Sequence, residues 1–193
     1  MKKIAIVGSG GLGREVLGII QSINRVKEEW EFIGFYDDDS NKLINKYSIL
    51  DKINGLNSVK EELHVVIAIG NPKVKELIFN KIINPKIIFP VLIHPSVIMY
   101  SEETISLGKG IVIGANSVLT VNIQIGNHVY INTASVISHD VCIGDFSILM
   151  PTVSISAGAD IGNGVYIGNG TKIDYPIKIK DNTIIKAGSV LSE

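Results

Sequence analysis

Every sixth residue from Leu107 to Leu191 is isoleucine or leucine, and this ladder leaves few folds open to the second half of the chain. The residue four positions further on is small or β-branched in nearly every hexad, and glycine often follows the aliphatic residue directly. The ladder consists of Leu107, Ile113, Leu119, Ile125, Ile131, Ile137, Ile143, Leu149, Ile155, Ile161, Ile167, Ile173, Ile179, Ile185 and Leu191. A period of six does not keep one helical face, so it excludes a helix and indicates a repeat architecture.

A coil of short parallel strands accounts for such a ladder. Each hexad supplies one strand and one turn, and three hexads close a triangular coil, so equivalent residues stack eighteen positions apart. Successive coils lie at the ordinary strand spacing of ~4.8 Å. The aliphatic residue points inward, the small residue fits a corner, and glycine permits either an unusual φ or a close backbone approach. The sequence therefore predicts a parallel β-helix.

The ladder has an offset at its beginning. Ile93, Met99 and Ile105 also repeat at six, but they stand two residues out of register with Leu107. This offset predicts a bulge or a small loop in the first coil. No inserted loop is expected from Leu107 onward.

The first part of the chain shows the alternation of an α/β unit. Predicted strands are 3–7, 31–36, 65–69 and 87–92, with helices at 14–23 and 73–83 and a short, mostly apolar segment at 47–50 within a polar loop at 40–60. Their order, β-α-β-β-α-β, is typical of a small parallel Rossmann-like sheet. We therefore expect a Rossmann-like domain at residues 1–92 and an all-β parallel β-helix at residues 93–193.

A glycine-rich loop, GSGGLG (8–13), lies between the first predicted strand and the first predicted helix. Glycines at such a site let the backbone approach a phosphate at a helix N-terminus. Asp37 and Asp38 end the second strand, where a ribose or base is read, and Gly70 lies on the same rim of the sheet. The unit is half the size of a full dinucleotide fold, which favours a mononucleotide or nucleotide sugar over NAD. Purely structural glycines are the remaining interpretation.

Composition argues against several classes of function. The chain has 18 basic and 19 acidic residues, so no basic surface argues for nucleic acid. No run approaches the ~18 apolar residues of a membrane span, and the apolar run before Gly8 is too short for a signal peptide. The single cysteine, Cys142, excludes an internal disulfide and fits a cytoplasmic protein.

Four histidines, His64, His94, His128 and His139, are candidates for chemistry. His64 begins a predicted strand, and His94 stands near the domain junction. His128 and His139 fall on turns of different edges, so they cannot share a metal within one subunit, and no metal site is predicted. Asp140 follows His139, and an adjacent carboxylate can hold the tautomer of a histidine that acts as a general base. A plain surface histidine is the alternative that spacing alone leaves open.

Five motifs together resemble the PglD/NeuD-type family of sugar O- and N-acyltransferases. They are GSGGLGREV (8–16), GFYDD (34–38), AIGNP (68–72), IHPSV (93–97) and INTASVISHDVCIGDFS (131–147). Their order and spacing cover nearly the full chain. The resemblance implies a left-handed β-helix of hexapeptide repeats behind a nucleotide-sugar-binding domain. It also implies a homotrimer that binds acetyl-CoA in the groove between adjacent β-helices.

The resemblance further implies roles for individual residues. In the catalytic pair, His139 would be the general base and Asp140 would raise its basicity. The nucleotide sugar would be held by Gly10, Gly11, Leu12, Asp37, Asp38 and Gly70, and acetyl-CoA would contact Asn169 and Ala187.

Three features depart from the family pattern. Ile148 stands where some members have a second histidine that contacts the acetyl group, and Leu12 stands where members often have histidine or phenylalanine. Glu193 ends the sequence where members have a Gly-x-Pro-Ala-type tail. We therefore expect the last strand edge to be covered by another chain, or the CoA site to be incomplete.

These observations predict an acetyl-CoA-dependent acetyltransferase that N-acetylates a nucleotide-activated amino sugar, with a UDP-4-amino sugar favoured. Two alternatives stay open. One is O-acetylation of a sialic-acid-like sugar by the same residues, and the other is a non-catalytic trimer that binds a nucleotide sugar.

Overall fold

The structure is a computed structural model that describes residues 1–39 and 48–192. The chain divides into two compact units, the first comprising Met1–Gly70 and Val74–Pro90 and the second comprising Asn71–Lys73 and Val91–Glu193. The main division falls two residues before the boundary expected after residue 92. Residues 40–47, which include much of the predicted polar loop and the start of the segment at 47–50, lie outside the described residues.

The first unit is a five-stranded parallel sheet with strand order β3-β2-β1-β4-β5. Its strands are β1 (Lys2–Val7), β2 (Trp30–Tyr36), β3 (Ile49–Asp51), β4 (Leu63–Ile67) and β5 (Ile87–Ile88), and its helices are α1 (Gly11–Val26) and α2 (Pro72–Lys81). A 3-10 turn, Ile53–Ser58, follows β3. The predicted Rossmann-like unit is confirmed, and β3 is one strand more than the predicted β-α-β-β-α-β order contains.

The central strands are buried on both faces. β4 is buried along its whole length and β1 from Ile4 onward, which explains why both strands read as unbroken apolar runs. Helix α1 presents Val16, Leu17, Ile19 and Ile20 to the interior, as its helical spacing predicts.

The strand predicted at 87–92 is wrong, because the chain forms two separate strands there. β5 pairs with β4 of the first unit, whereas β6 (Leu92–Ile93) pairs within the second unit. Pro90 lies between them, and proline has no N–H to donate to a continuous ladder.

The second unit consists of short parallel strands on three faces of a coil. The strands are β6 (Leu92–Ile93), β7 (Ile98–Met99), β8 (Ile105–Leu107), β9 (Val112–Ile113), β10 (Val118–Leu119), β11 (Ile123–Ile125), β12 (Tyr130–Ile131), β13 (Val136–Ile137), β14 (Cys142–Ile143), β15 (Ile148–Leu149), β16 (Ser154–Ile155), β17 (Asp160–Ile161), β18 (Tyr166–Ile167), β19 (Lys172–Ile173), β20 (Lys178–Ile179), β21 (Ile184–Ile185) and β22 (Val190–Leu191).

Three sheets divide these strands among themselves. The first face contains β6, β9, β12, β15, β18 and β21, the second face β7, β10, β13, β16, β19 and β22, and the third face β8, β11, β14, β17 and β20. Each coil passes from the first face to the second and then to the third, so the turns form a first–second, a second–third and a third–first edge. The predicted hexapeptide-repeat β-helix is confirmed.

The first coil is longer than the others. Met99 pairs with Leu119, twenty positions away, whereas Leu107 pairs with Ile125, eighteen positions away. A 3-10 turn, Glu102–Thr104, accommodates the two extra residues. The eighteen-residue register then continues to Leu191. The predicted offset, and the absence of an inserted loop after it, are both confirmed.

The ladder residues fill the interior of the coil. All of them from Ile113 to Ile185 are buried. The corner positions contain small residues, and a buried hydroxyl there still finds an acceptor. For example, the Ser147 hydroxyl donates to the carbonyl of Gly162 at 2.8 Å. This bond offsets the cost of burying a polar group.

The glycine that follows the ladder residue and the residue with a left-handed backbone occupy different positions of each turn. The glycine after the ladder residue allows two coils to approach closely, since a Cβ on Gly168 would lie 2.4 Å from the Ala187 nitrogen. The positive φ falls two residues later along the turn, for example at Asn116 (φ 59°) and Asn182 (φ 59°). Asparagine adopts this conformation more readily than most residues. Of the two reasons expected for glycine, close approach is the one that applies.

Candidate functional site

The glycine loop follows β1 and leads into α1. Gly8 adopts a φ of 94°, and a Cβ on Gly13 would collide with the carbonyl oxygen of Gly8, so these two glycines are required by the local fold. Gly10 differs from them, because a Cβ there would meet nothing within 4 Å. Gly10 precedes the first residue of α1 and is exposed. The free N–H groups of such a helix start attract anions.

The predicted nucleotide-sugar residues lie at one end of the sheet. Gly11 and Gly70 are exposed, and a Cβ on Gly70 would lie 3.9 Å from the Leu12 side chain. The loops after β1 and β4 are therefore neighbours. Asp37 and Asp38 follow β2, which pairs with β1. The carboxyl end of an open parallel sheet is where such folds bind ligands.

The two aspartates are already engaged in local hydrogen bonds. Asp37 Oδ2 accepts the Ser9 N–H at 2.8 Å and also the Ser9 hydroxyl, and Asp37 Oδ1 accepts the Asp39 N–H at 3.0 Å. Asp38 Oδ1 accepts the Ile53 N–H at 3.1 Å. Asp37 thus ties the end of β2 to the glycine loop. Ser9, a residue of the glycine loop with no predicted role, is buried although polar.

His139 and Asp140 form a hydrogen-bonded pair on the second–third edge. The His139 Nδ1 lies 2.7 Å from Asp140 Oδ2, and both side chains are more than half exposed. An ionised carboxylate only accepts hydrogen bonds, so Nδ1 carries a proton, and in the neutral ring Nε2 keeps a free lone pair. This is the tautomer that a general base at Nε2 requires.

The carboxylate of this pair is held in its ionised form. The hydrogen bond from His139, and after it a hydrogen bond from Asn122, lower the pKa of Asp140 below its ordinary value. Asp140 has a φ of 60°, and its N–H donates to the Val121 carbonyl at 3.2 Å. The backbone of the turn therefore fixes the position from which the carboxylate reaches the ring.

The predicted acetyl-CoA residues lie on another edge of the same β-helix. Asn169 and Ala187 stand in successive turns of the first–second edge, where both are exposed, and the Gly188 N–H donates to the Asn169 carbonyl at 2.7 Å. Within one chain the structure does not bring them together with His139. Ile148, the position of the missing second histidine, lies in β15 of the first face and is buried.

Each of the other three histidines contacts a neighbouring side chain. His128 is fully buried, and its ring stacks on Phe146 with centroids 5.2 Å apart. His64 lies in β4 with its ring 5.2 Å from Trp30, and His94 contacts the Ser96 hydroxyl at 2.8 Å. Within residues 1–39 and 48–192, no group of three or more His, Cys, Asp or Glu side chains is placed to hold a metal ion.

The third face contains a groove of about 690 Å³. Its lining includes Gln124, Cys142, Asp160 and Lys178, and the Lys178 ammonium lies 3.0 Å from Asp160. The groove contains neither His139 nor the predicted acetyl-CoA residues. In the part of the chain that the structure describes, no helix is long and apolar enough to cross a membrane.

Both modules match known families. Residues 3–82 match the family model for the PglD N-terminal domain, and residues 158–193 match that for the bacterial transferase hexapeptide (six repeats). The whole chain is similar to GDP-perosamine N-acetyltransferase of Escherichia coli O157:H7, with 25% identity over 197 aligned residues and 79% of that protein covered.

Solved structures share the fold over the full chain. The acetyltransferase domain of PglB from Neisseria gonorrhoeae FA1090 is 24% identical, with a TM-score of 0.88 and coverage of 100% of this chain and 92% of that one. PerB from Caulobacter crescentus, solved in complex with CoA and GDP-perosamine, is 23% identical, with a TM-score of 0.79 and coverage of 100% and 90%. With both modules present in the same order, the chain is homologous to PglD/NeuD-type hexapeptide-repeat acyltransferases, the family that its motifs resemble.

Proposed function

We propose that the protein transfers the acetyl group of acetyl-CoA to the amine of a nucleotide-linked sugar. The observation that carries this proposal is the His139–Asp140 pair, a base with its free nitrogen exposed on an edge of the β-helix. The relatives support the choice of substrates, since one is named a GDP-perosamine N-acetyltransferase and another was solved with CoA and GDP-perosamine.

In the proposed reaction the sugar nitrogen attacks the thioester carbonyl of acetyl-CoA. His139 Nε2 removes a proton from the attacking nitrogen, and the carbon–sulfur bond breaks. The CoA sulfur leaves as a thiolate and takes the proton from the imidazolium, so the products are an acetamido sugar and free CoA thiol. Asp140 stabilises the imidazolium while it holds the proton.

The N-terminal unit would bind the nucleotide sugar. We assign the phosphates to the N-terminus of α1 at Gly10 and Gly11, where the backbone is open and the first turn has no acidic residue. Leu12 and Gly70 would border the sugar, and Asp38 would read the ribose or base. Asp37 would act mainly through Ser9, because both of its oxygens already accept hydrogen bonds.

The acetyl-CoA site would be shared between two subunits of a homotrimer. His139 lies on the second–third edge, whereas Asn169 and Ala187 lie on the first–second edge of the same chain. A groove between adjacent β-helices would bring one edge of each kind together. The backbone groups of Asn169 and Ala187 would then line the path of the pantetheine chain.

Replacing His139 tests the proposal directly. His139→Ala removes the base, so kcat/KM for acetyl transfer should fall by ~10²–10⁴-fold, the usual contribution of a positioned base. Release of free thiol measures the reaction, and an unchanged kcat/KM would remove this mechanism.

The acceptor is identified by the same assay. A panel of UDP-, GDP-, dTDP- and CMP-linked amino sugars and their hydroxyl analogues is offered with acetyl-CoA. A UDP-4-amino sugar remains our prediction from the sequence, whereas the named relatives favour a GDP-linked one. Turnover of hydroxyl acceptors alone would show O-acetylation. Failure to bind acetyl-CoA in a calorimetric titration would leave a non-catalytic nucleotide-sugar binder.

A further inference from the structure

The His139–Asp140 pair has a third member that the sequence analysis did not identify. The side-chain amide of Asn122 donates from Nδ2 to Asp140 Oδ1 at 3.1 Å, while Asp140 Oδ2 accepts from His139. Each oxygen of the carboxylate therefore has its own donor. A carboxylate held at both oxygens cannot rotate about its Cβ–Cγ bond without losing a hydrogen bond.

Resting on the proposed function, we propose that Asn122 is a positioning residue for acetyl transfer, which fixes the carboxylate of Asp140 and through it the ring of His139. Asn122 lies one coil before Asp140, eighteen positions away on the same edge. Its amide donates to the carboxylate of Asp140. It acts on the reaction only through Asp140.

The backbone of Asn122 is itself placed by the first coil. Asn122 adopts a φ of 55°, and its N–H donates to the Thr104 hydroxyl at 3.0 Å. The equivalent N–H of Asp140 donates to a backbone carbonyl, that of Val121. Thr104 ends the 3-10 turn that accommodates the two extra residues, and it donates in turn to the Ser101 carbonyl at 3.0 Å. This turn thus begins a chain of hydrogen bonds that ends at His139.

The pair needs this additional hydrogen bond because both of its side chains are exposed to water. The side chains of His139 and Asp140 are 58% and 56% exposed, so water competes for every hydrogen bond that they make. A single bond between two exposed side chains restrains the ring weakly. The Asn122 amide adds a contact from a separate coil. Outer partners that orient a metal-bound histidine typically matter by about 10–100-fold when removed, and we expect an effect of the same order here.

Three variants and one control test the role of Asn122. Asn122→Gly keeps the left-handed backbone and deletes the amide, and Asn122→Asp keeps the size but replaces the donor with a carboxylate. Asn182→Gly is the matched control, since Asn182 is exposed with a φ of 59° and lies on the third–first edge. Thr104→Val removes the acceptor for the Asn122 N–H with little change in shape.

We expect Asn122→Gly and Asn122→Asp to lower kcat by about tenfold or more with little change in the KM for acetyl-CoA. Thr104→Val should lower kcat in the same direction but less, and Asn182→Gly should behave as wild type. Circular dichroism and thermal melts check that each variant is folded. A kcat for Asn122→Gly equal to that of Asn182→Gly would overturn the proposal.

A spectroscopic measurement separates this inference from the proposed function. Nitrogen-15 NMR of the imidazole, assigned with a His139→Gln variant, should show an Nδ1–H tautomer in the wild type and in Asn182→Gly. Mixed tautomers are expected in Asn122→Gly. If His139→Ala stays active, the proposed function fails while the tautomer shift still tests Asn122. If His139→Ala is inactive and the tautomer does not respond to Asn122→Gly, only the positioning role fails.

Discussion

Lys75 is a buried lysine at the beginning of α2. Its side chain is 1% exposed, and burial lowers the pKa of its ammonium group from 10.5 to about 7. The low-polarity surroundings disfavour the charged form, whereas the unfolded chain leaves it in water. Between pH 7 and 10.5 the unfolded state therefore binds more protons than the folded state. Stability must rise with pH across that window.

We predict that the free energy of unfolding of the wild type increases from pH 7 toward pH 10.5, by at most ~1.4 kcal/mol per pH unit from this one group. Lys75→Met removes the ionisable group, so its unfolding free energy should lack this rise. Lys73→Met, at an exposed position two residues earlier, should retain it. Denaturant titrations at several pH values measure the slope. Equal slopes for wild type and Lys75→Met would contradict the assignment.

Only some residues of the candidate sites could be predicted from the sequence. His139 and Asp140 are adjacent and could be found by motif, but Asn122 lies seventeen positions before His139 in an ordinary turn. The eighteen-residue coil brings its amide to Asp140. The signal that points to Asn122 is its spacing, because a polar residue eighteen positions before Asp140 lies beside it in the coil. Ser9 was overlooked for a different reason, because its bond to Asp37 depends on how β1 pairs with β2.

At the scale of elements, the third–first edge is held by an alternating column of amides and carboxylates. Asn127, Asp145, Asn163 and Asp181 stand one coil apart. Asp145 Oδ1 accepts the Asn127 N–H at 2.6 Å, Asn163 Oδ1 the Asp145 N–H at 2.8 Å, and Asp181 Oδ1 the Asn163 N–H at 2.8 Å. Each side chain therefore binds the backbone of the coil before it. The alternation keeps two carboxylates from standing in adjacent coils.

We predict that Asn163→Asp destabilises the β-helix by about 1 kcal/mol, because it places a third carboxylate between Asp145 and Asp181 and removes an amide donor. The loss should shrink in high salt, which screens like charges. Asn116→Asp is the control, at an exposed turn position on another edge whose neighbour one coil later is Ala134. Thermal melts at low and high salt measure both variants. An equal effect of the two changes at low salt would argue against charge repulsion in the column.

The elements themselves were predicted with uneven success. The hexad ladder predicted each strand of the β-helix from Leu107 onward, because every repeat contains one aliphatic residue that marks its inward position. The first unit was harder at its end, where residues 87–92 read as one apolar run. The run divides at Pro90 between two sheets, and no periodicity within six residues could show which sheet each half joins.

At the scale of the whole molecule, the proposed site needs two chains. The three edges of one β-helix face different directions, so His139 and the Asn169–Ala187 column cannot both line one groove of a single subunit. The sequence contains both sets of residues but not the symmetry that would join them. Closed homo-oligomers repeat one interface around an axis, so a trimer would form three equal grooves.

Subunit complementation tests this arrangement. His139→Ala removes the base, and Ala187→Glu blocks the exposed first–second edge, so each variant alone should be inactive. Co-expression of the two variants gives mixed trimers. In these, a groove is intact when the Ala187→Glu subunit supplies His139 and the His139→Ala subunit supplies the acetyl-CoA edge. Every cyclic trimer that contains both variants has one such groove among its three, so purified mixed trimers should show about a third of wild-type activity. Purification through two different tags ensures that mixed particles are assayed. If both sets of residues act within one chain, no mixture of the two variants regains activity.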